Sequence, residues 1–247
     1  MRLNIKKLDS LAGVKIYYHK SLGSTNTEAK DIAQINGAPF AVIAKKQTAG
    51  RGRMGRSFYS KGHGLYMSFV YRTKNLCEAV SVTTATAAIV TSALESCCEG
   101  EFKIKWVNDI YQNGKKVCGI LAESHSLDVG ETAVVIGIGI NVGRCRFPRE
   151  LRNIAGSVNL KSSPEALVSA ILLGLLSVID NPEDKSYMQL YRDRSMLMGM
   201  TVTATSADGE IVGKVEGFDD DGGLLLRVDG EIVRIFSGEV TLRPVND

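Results

Sequence analysis

Apolar residues fall into two regimes along the chain. From Val14 to about Arg194 they form compact runs and helical stripes, and from Met198 onward they alternate in short bursts between Asp-Gly turns. In the first regime, residues 14–19, 40–44, 64–71, 103–107 and 132–142 are short apolar or alternating runs bounded by glycine and polar residues, which predicts strands. Thr25-x-x-Glu28 matches a capping box and predicts a helix through about Asn36. Residues 75–98 are rich in Ala and Thr with few charges, which predicts a buried helix. Asn113-Gly114 is a hairpin turn that joins 110–112 to 116–124. Pro164, with Ser163 before it, opens an amphipathic helix to about Ile179, and Pro182 opens another to about Arg194. Residues 1–13 give a helical turn and a lead-in. Strands and helices do not alternate one for one, so the expected class is α+β, an antiparallel or mixed sheet with helices packed on one side.

The second regime begins where composition changes at Met198-Gly199. Up to Pro244 the chain breaks at Asp208-Gly209, Asp221-Gly222-Gly223 and Asp229-Gly230, with Ile211, Leu224, Leu226, Val228, Ile232 and Ile235 as apolar positions. That spacing predicts a small β-barrel of about 45 residues. The expected division is therefore 1–195 and 196–247.

Composition narrows the classes only mildly. Hydrophobic residues make up 44% and charged residues 23% of 247, an ordinary globular balance with material for one or two domains. Net charge is 30 − 27 = +3, too small to argue for nucleic acid by itself. The five cysteines, Cys77, Cys97, Cys98, Cys118 and Cys145, are odd in number, form no CxxC and follow no signal peptide. They predict reduced thiols in a cytoplasmic protein. No apolar run is expected to reach the roughly 18 residues that span a bilayer. His19, His63 and His125 are too scattered for a metal site, and no metal-ligating cluster is identified.

Charge is concentrated in one place. Residues 45–56 carry five basic residues and no acid, and within them Gln47–Arg56 reads QTAGRGRMGR. Gly50, Gly52 and Gly55 allow close backbone approach to a ligand. Arg51, Arg53 and Arg56 carry permanent charge on planar donor forks that suit phosphate and carboxylate. The loop is neither a Walker loop nor a GxGxxG helix start. A solvated basic turn or a nucleic-acid arm would show the same composition.

Taken in order, STN at 24–26, QTAGRGRMGR, KWVND at 105–109, GKKVCGIL at 114–121 and VVIGIGINV at 134–142 resemble a biotin protein ligase over nearly the whole chain. The resemblance implies a class II synthetase-like or biotin–lipoate ligase-like catalytic domain followed by an SH3-like barrel. It implies formation of biotinyl-5′-AMP from biotin and ATP, with Mg²⁺ carried mainly by the phosphates. Biotin then passes to a lysine of a biotin carboxyl carrier domain, of the acetyl-CoA carboxylase type. Some members carry an N-terminal DNA-binding domain. Only some 23 residues precede the first ligand motif here, so no repressor function and no DNA partner are expected. No membrane partner is expected, and a homodimer is allowed.

The same resemblance implies residue roles. Biotin would meet Ser24, Thr25, Asn26, Gln47, Gly50, Arg51, Gly52, Arg53, Lys116 and Gly119. The nucleotide would meet Arg51, Arg53, Phe58, Asn108, Lys116 and Asn141. Lys116 and Arg53 would screen the repulsion between carboxylate and polyphosphate, and Asp109 would orient the incoming amine. Lys115 and Lys116 are adjacent, so the register of the catalytic lysine is open by one place. Members usually show WPND, and Val107 stands where that proline would be. Two rivals remain: a lipoate–protein ligase, which shares the fold and the acyl-adenylate chemistry, and a non-catalytic nucleic-acid-binding module that would bind with steep salt dependence.

Overall fold

The computed structural model describes residues 3–11, 13–61, 64–74, 79–127, 130–206, 209–236 and 238–242. A seven-stranded sheet is built from β1 (Lys15–His19), β2 (Phe40–Ala44), β3 (Leu65–Thr73), β4 (Lys103–Lys105), β5 (Asp109–Gln112), β6 (Lys115–Ser126) and β7 (Thr132–Ile140). Its spatial order is β1-β2-β3-β7-β6-β5-β4. Only β1 and β2 run parallel; the other neighbours are antiparallel. The sheet is thus mixed. A parallel pair cannot be closed by a tight hairpin and needs a crossover, which α2 (Thr25–Ile35) provides.

That crossover alters the expected one-sided helical layer. Alternate strand residues face opposite ways. Ala41, Ile43, Met67, Phe69, Ile136, Ile138 and Ile140 enter a core shared with α3 (Ala79–Cys97) and α4 (Pro164–Asp180). Phe40, Val42, Val70 and Val135 face the other way and pack against Ala29 and Ala33 of α2. The helical layer on one face is as expected, and α2 is the one helix among the described residues that covers part of the opposite face. α1 (Ile5–Leu11) and α5 (Tyr187–Arg194) complete the main layer. α3 is long and apolar enough over Val80–Cys97 to cross a bilayer, which corrects the expectation that no such run exists. Its burial between sheet and helices accounts for that composition. Residues 75–78, expected in the same helix, and the Cys77 thiol lie outside the described residues, as does His63.

Several boundaries differ from the sequence reading for local reasons. Helix α2 is capped at Ser24, not Thr25, and without a side-chain bond. The Thr25 N–H and hydroxyl instead donate to Gln47 Oε1, at 2.8 and 3.1 Å. Glu28 turns outward to His19, 3.6 Å away. The α4 start follows expectation, with Ser163 Oγ accepting the Ala166 N–H at 3.2 Å. Pro182 does not open α5; Asp184 takes the Ser186 N–H at 2.8 Å in a local turn, and the helix begins at Tyr187. Asp109 lies in β5, paired with Lys105 and Gly119, and not in the preceding turn. The Trp106–Val107 peptide is cis.

The C-terminal strands β8 (Thr201–Ser206), β9 (Gly209–Phe218), β10 (Leu224–Val228), β11 (Glu231–Ile235) and β12 (Glu239–Leu242) form the small antiparallel barrel, in the order β11-β10-β9-β8-β12. Leu224, Leu226, Val202, Val215 and Phe218 are buried in the core that the main sheet also uses. Ile232, expected inside, is 49% exposed because β11 is an edge strand. The junction is well fitted. Trp106 Nε1 donates to the Gly222 carbonyl at 2.9 Å, and the Tyr191 and Phe218 rings meet edge to face at 5.3 Å. Gly222 has φ +86°, and a Cβ there would lie 2.5 Å from Thr84 of α3. Gly222→Ala should therefore destabilise the protein by about 1–3 kcal/mol, read as a lower midpoint in urea denaturation. An unchanged midpoint would mean that this contact does not hold the barrel in place.

Candidate active site

Strand β7 reads Ile136-Gly137-Ile138-Gly139-Ile140. Its isoleucines fill the core, so its glycines open the other face of the sheet beside α2. A Cβ at Gly137 would overlap the Asn26 amide, and one at Gly139 would lie 2.6 Å from the Phe58 ring. On β6, Gly119 pairs with Gly139, and its own Cβ would lie 3.1 Å from both Lys116 Cε and Phe58 Cε2. Three glycines thus make a floor that side chains approach closely. Gly139 and Gly137, with no side chain to spare for packing, mark the site as clearly as the basic loop does. The period-two pattern of VVIGIGINV could have disclosed them, but the sequence reading singled out only Gly119.

Ser24, Thr25, Asn26, Gln47, Arg51, Gly52, Arg53, Phe58, Asn108, Lys116 and Gly119 all line this pocket, joined by Gly137, Gly139, Ile120 and Leu121. Three expected residues do not line it. Gly50 lies beneath the loop, where a Cβ would overlap Ser60 and come within 2.5 Å of the Phe58 carbonyl. Its carbonyl takes the Phe58 N–H at 2.9 Å, so its smallness closes the loop on itself. Asn141 is buried and donates its amide to the Gly156 carbonyl at 2.9 Å, bracing the segment beside β6. Asp109 sits behind Lys116, whose Nζ is 2.5 Å from its Oδ1; this is a charge contact outside hydrogen-bond geometry. The two adjacent lysines lie differently. Lys116 lines the pocket, whereas Lys115 is exposed and donates to the Arg152 carbonyl at 2.8 Å.

The two ends of the pocket differ in chemistry. At the α2 end the groups are neutral. Gln47 Oε1 is engaged by Thr25, and Asn26 Oδ1 accepts from Ser68 Oγ at 2.6 Å. At the loop end are three cations, each held by a protein acceptor. Arg51 reaches Glu123 at 3.1 Å, Lys116 reaches Asp109, and Arg53 donates to Asn108 Oδ1 at 3.3 Å and to the Gly238 carbonyl of the barrel at 3.1 Å. Arg56 points away from the pocket and pairs with Glu239 at 2.7 Å. Glu123, Lys30 and the barrel acceptors are functional candidates that the sequence reading missed. Glu123 lay two and four places beyond Leu121 and Gly119, on the same face.

Free space among these side chains is about 50 Å³, against the roughly 300 Å³ or more of an ordinary ligand pocket. The Phe58 ring, packed close on Gly119 and Gly139, fills part of the floor. A larger cavity, about 460 Å³, lies among Thr73, Ser81, Val82, Leu175, Ile179 and Tyr187, but it shares no lining residue with the pocket over the glycine floor.

A neutral hydrogen-bonding end, a glycine floor and a cationic end suit a small acid and phosphate, the substrates of an acid-activating ligase, and the relatives of this chain are ligases. The biotin/lipoate A/B protein ligase family model matches residues 18–141, and the biotin protein ligase C-terminal domain model matches 198–243. The bifunctional ligase/repressor BirA of Bacillus subtilis is 34% identical over 93% of this chain and 74% of its own length. The biotin–[acetyl-CoA-carboxylase] ligase of Mycobacterium tuberculosis is 31% identical over 88% of this chain and 85% of its own. A biotin protein ligase from Aquifex aeolicus in complex with biotin and ATP superposes with TM-score 0.78 at 28% identity, covering 93% of this chain and 98% of that one. The chain belongs to the biotin/lipoate A/B protein ligase family and, within it, is a biotin protein ligase.

Gly137→Ala places a methyl group where the Asn26 amide sits. It should cost about 1–3 kcal/mol of stability in urea denaturation and weaken biotin binding in calorimetry. Parent-like values in both would remove the floor argument.

Proposed function

We propose that the chain adenylates biotin with ATP and then passes biotin to a lysine of a biotin carboxyl carrier domain, of the kind found in acetyl-CoA carboxylase. The observation that carries this reading is the pocket in which neutral groups at 24–26 and 47 face three cations across a glycine floor. The ureido ring suits the neutral end, where Gln47, Thr25 and Asn26 offer amide and hydroxyl partners. The apolar Ile120 and Leu121 suit the thiophane ring and valeryl chain.

The first step brings an anionic carboxylate to the α-phosphate of ATP. A carboxylate oxygen forms the new bond to phosphorus, the bond to the bridging oxygen breaks, and pyrophosphate leaves. Arg51, Arg53 and Lys116 neutralise charge on both partners in this step. Phe58 has a π face for adenine, and Asn108 completes the nucleotide side. Mg²⁺ would arrive on the phosphates, since Asp109 and Glu123 beside the pocket are already paired with cations. When Lys116 turns to phosphate, Asp109 is released to hold the incoming lysine and take its proton. The amine then attacks the acyl carbon, and AMP leaves.

We place the catalytic unit at 1–195 and the barrel at 196–247. The loop needs the barrel as well as the pocket, because Arg53 bridges Asn108 and Gly238. No DNA-binding role enters the proposal. A cytoplasmic location fits the free thiols of Cys97, Cys98 and Cys118.

Pyrophosphate release from ATP, measured with biotin and lipoate in parallel, tests the reading. Release should require biotin, ignore lipoate, and fall about 10²–10³-fold in Lys116→Ala. Release driven by lipoate instead would favour the lipoate–protein ligase. Arg53→Gly should still form biotinyl-AMP but let it go, so that less is retained with protein on a filter. Parent-like retention would contradict a role for the Arg53 bridge between Asn108 and Gly238 in holding the intermediate.

A further inference from the structure

Glu123 has no role in the reaction as written, yet it is the most heavily engaged carboxylate beside the pocket. It projects from β6 with its side chain 16% exposed. Oε1 accepts from Lys30 Nζ at 2.8 Å and lies 3.1 Å from the Arg51 guanidinium as a charge contact, while Oε2 accepts from Asn26 Nδ2 at 2.7 Å. Lys30 and Asn26 both belong to α2, and Arg51 belongs to the loop. One carboxylate therefore joins the neutral end of the pocket to the cationic end.

The contact with Asn26 decides which way that amide faces. Nδ2 gives its two hydrogens to Glu123 and to the Leu121 carbonyl at 3.3 Å, groups that can only accept. Oδ1 takes the Ser68 hydroxyl at 2.6 Å. The amide is thereby locked with its oxygen toward the floor, and one lone pair is left for an N–H donor such as a ureido nitrogen. The contact with Arg51 acts in the opposite sense. A carboxylate on that guanidinium reduces its pull on polyphosphate and adds a negative charge near the place where phosphates must come. Burial alone would raise the Glu123 carboxyl. The bonds from Lys30 and Asn26 and the charges of Lys30 and Arg51 outweigh it and hold the pKa below the ordinary value, so the carboxylate is ionised in both of its roles.

We infer that Glu123 is a positioning residue shared by the two substrate subsites: it fixes the Asn26 amide for the biotin head group and restrains Arg51 until a polyphosphate takes it over. This rests on the biotin-ligase reading above and adds a coupling between the two ends of the pocket. It makes an unusual demand, because removing one charge should move the two substrates in opposite directions. The substitution Glu123→Gln keeps the size of the side chain, but the new NH₂ group can face Asn26 and no longer compels that amide. Arg51 loses its counter-charge and becomes free for phosphate.

The experiment measures the KM of biotin and of ATP in pyrophosphate release for the parent, E123Q and Ser68→Ala. In E123Q the KM for biotin should rise about tenfold or more, while the KM for ATP stays level or falls. In Ser68→Ala, which loosens only the Asn26 side, the KM for biotin alone should rise. Thermal unfolding of each variant reports its fold. Should E123Q fail to fold, Ser68→Ala carries the test for Asn26. An Arg51→Lys variant with unchanged KM for ATP would then overturn the Arg51 half. Parallel weakening of both substrates in E123Q, or no change in either, overturns the inference while the parent still turns over with biotin. A parent that releases no pyrophosphate with biotin removes the reading beneath it.

Discussion

Close approach to one face of a β-sheet is the constraint on which this structure depends. β7 has to serve two sides. Ile136, Ile138 and Ile140 supply the core beneath the sheet, and the intervening Gly137 and Gly139 leave the upper face without side chains. The period of two makes both possible in five residues. Asn26 and Phe58 then come down onto the floor, and α2 must lie on that face to bring Asn26 there. The β1–α2–β2 crossover follows from the same need, as does the departure from a one-sided helical layer.

Electrostatics is arranged around that floor in a second way. Each cation of the pocket already holds an acceptor: Arg51 on Glu123, Lys116 on Asp109, Arg53 on Asn108 and Gly238. These pairs combine partly exposed cations with largely buried carboxylates, and their value lies in placement. They hold long flexible side chains in place beside the pocket, and under the proposed reaction they would exchange a protein partner for phosphate. The barrel takes part because Gly238 and Glu239, at the start of β12, receive two of the loop's arginines.

Much of this was legible in the sequence, and the gaps have physical causes. Strands and the barrel followed from apolar patterning. The eleven motif residues that line one pocket followed from their motifs. Asn141, Gly50 and Asp109 do not line that pocket, because a motif marks a residue that the site needs without saying whether it lines the cavity or braces what does. Glu123 and Lys30 were missed because each is unremarkable in its own stretch. Only pairing of β6 with β7 and packing of α2 bring them together. Helix starts slipped at Thr25 and Pro182, where Gln47 and Asp184 offered the backbone better partners than a standard cap. Val107, the one departure from the motif, leaves Trp106 and Asn108 where the junction and the pocket use them.

The central claim is that this floor carries an activated biotin to an acceptor lysine. The intact mass of a biotin carboxyl carrier domain, taken after incubation with the protein, ATP and biotin, tests it most directly. A gain of one biotinyl group, confined to a single lysine and absent without ATP, is the predicted result. A carrier that stays unmodified beside folded, biotin-bound protein, or one that gains a lipoyl group when both acids are supplied, would contradict it.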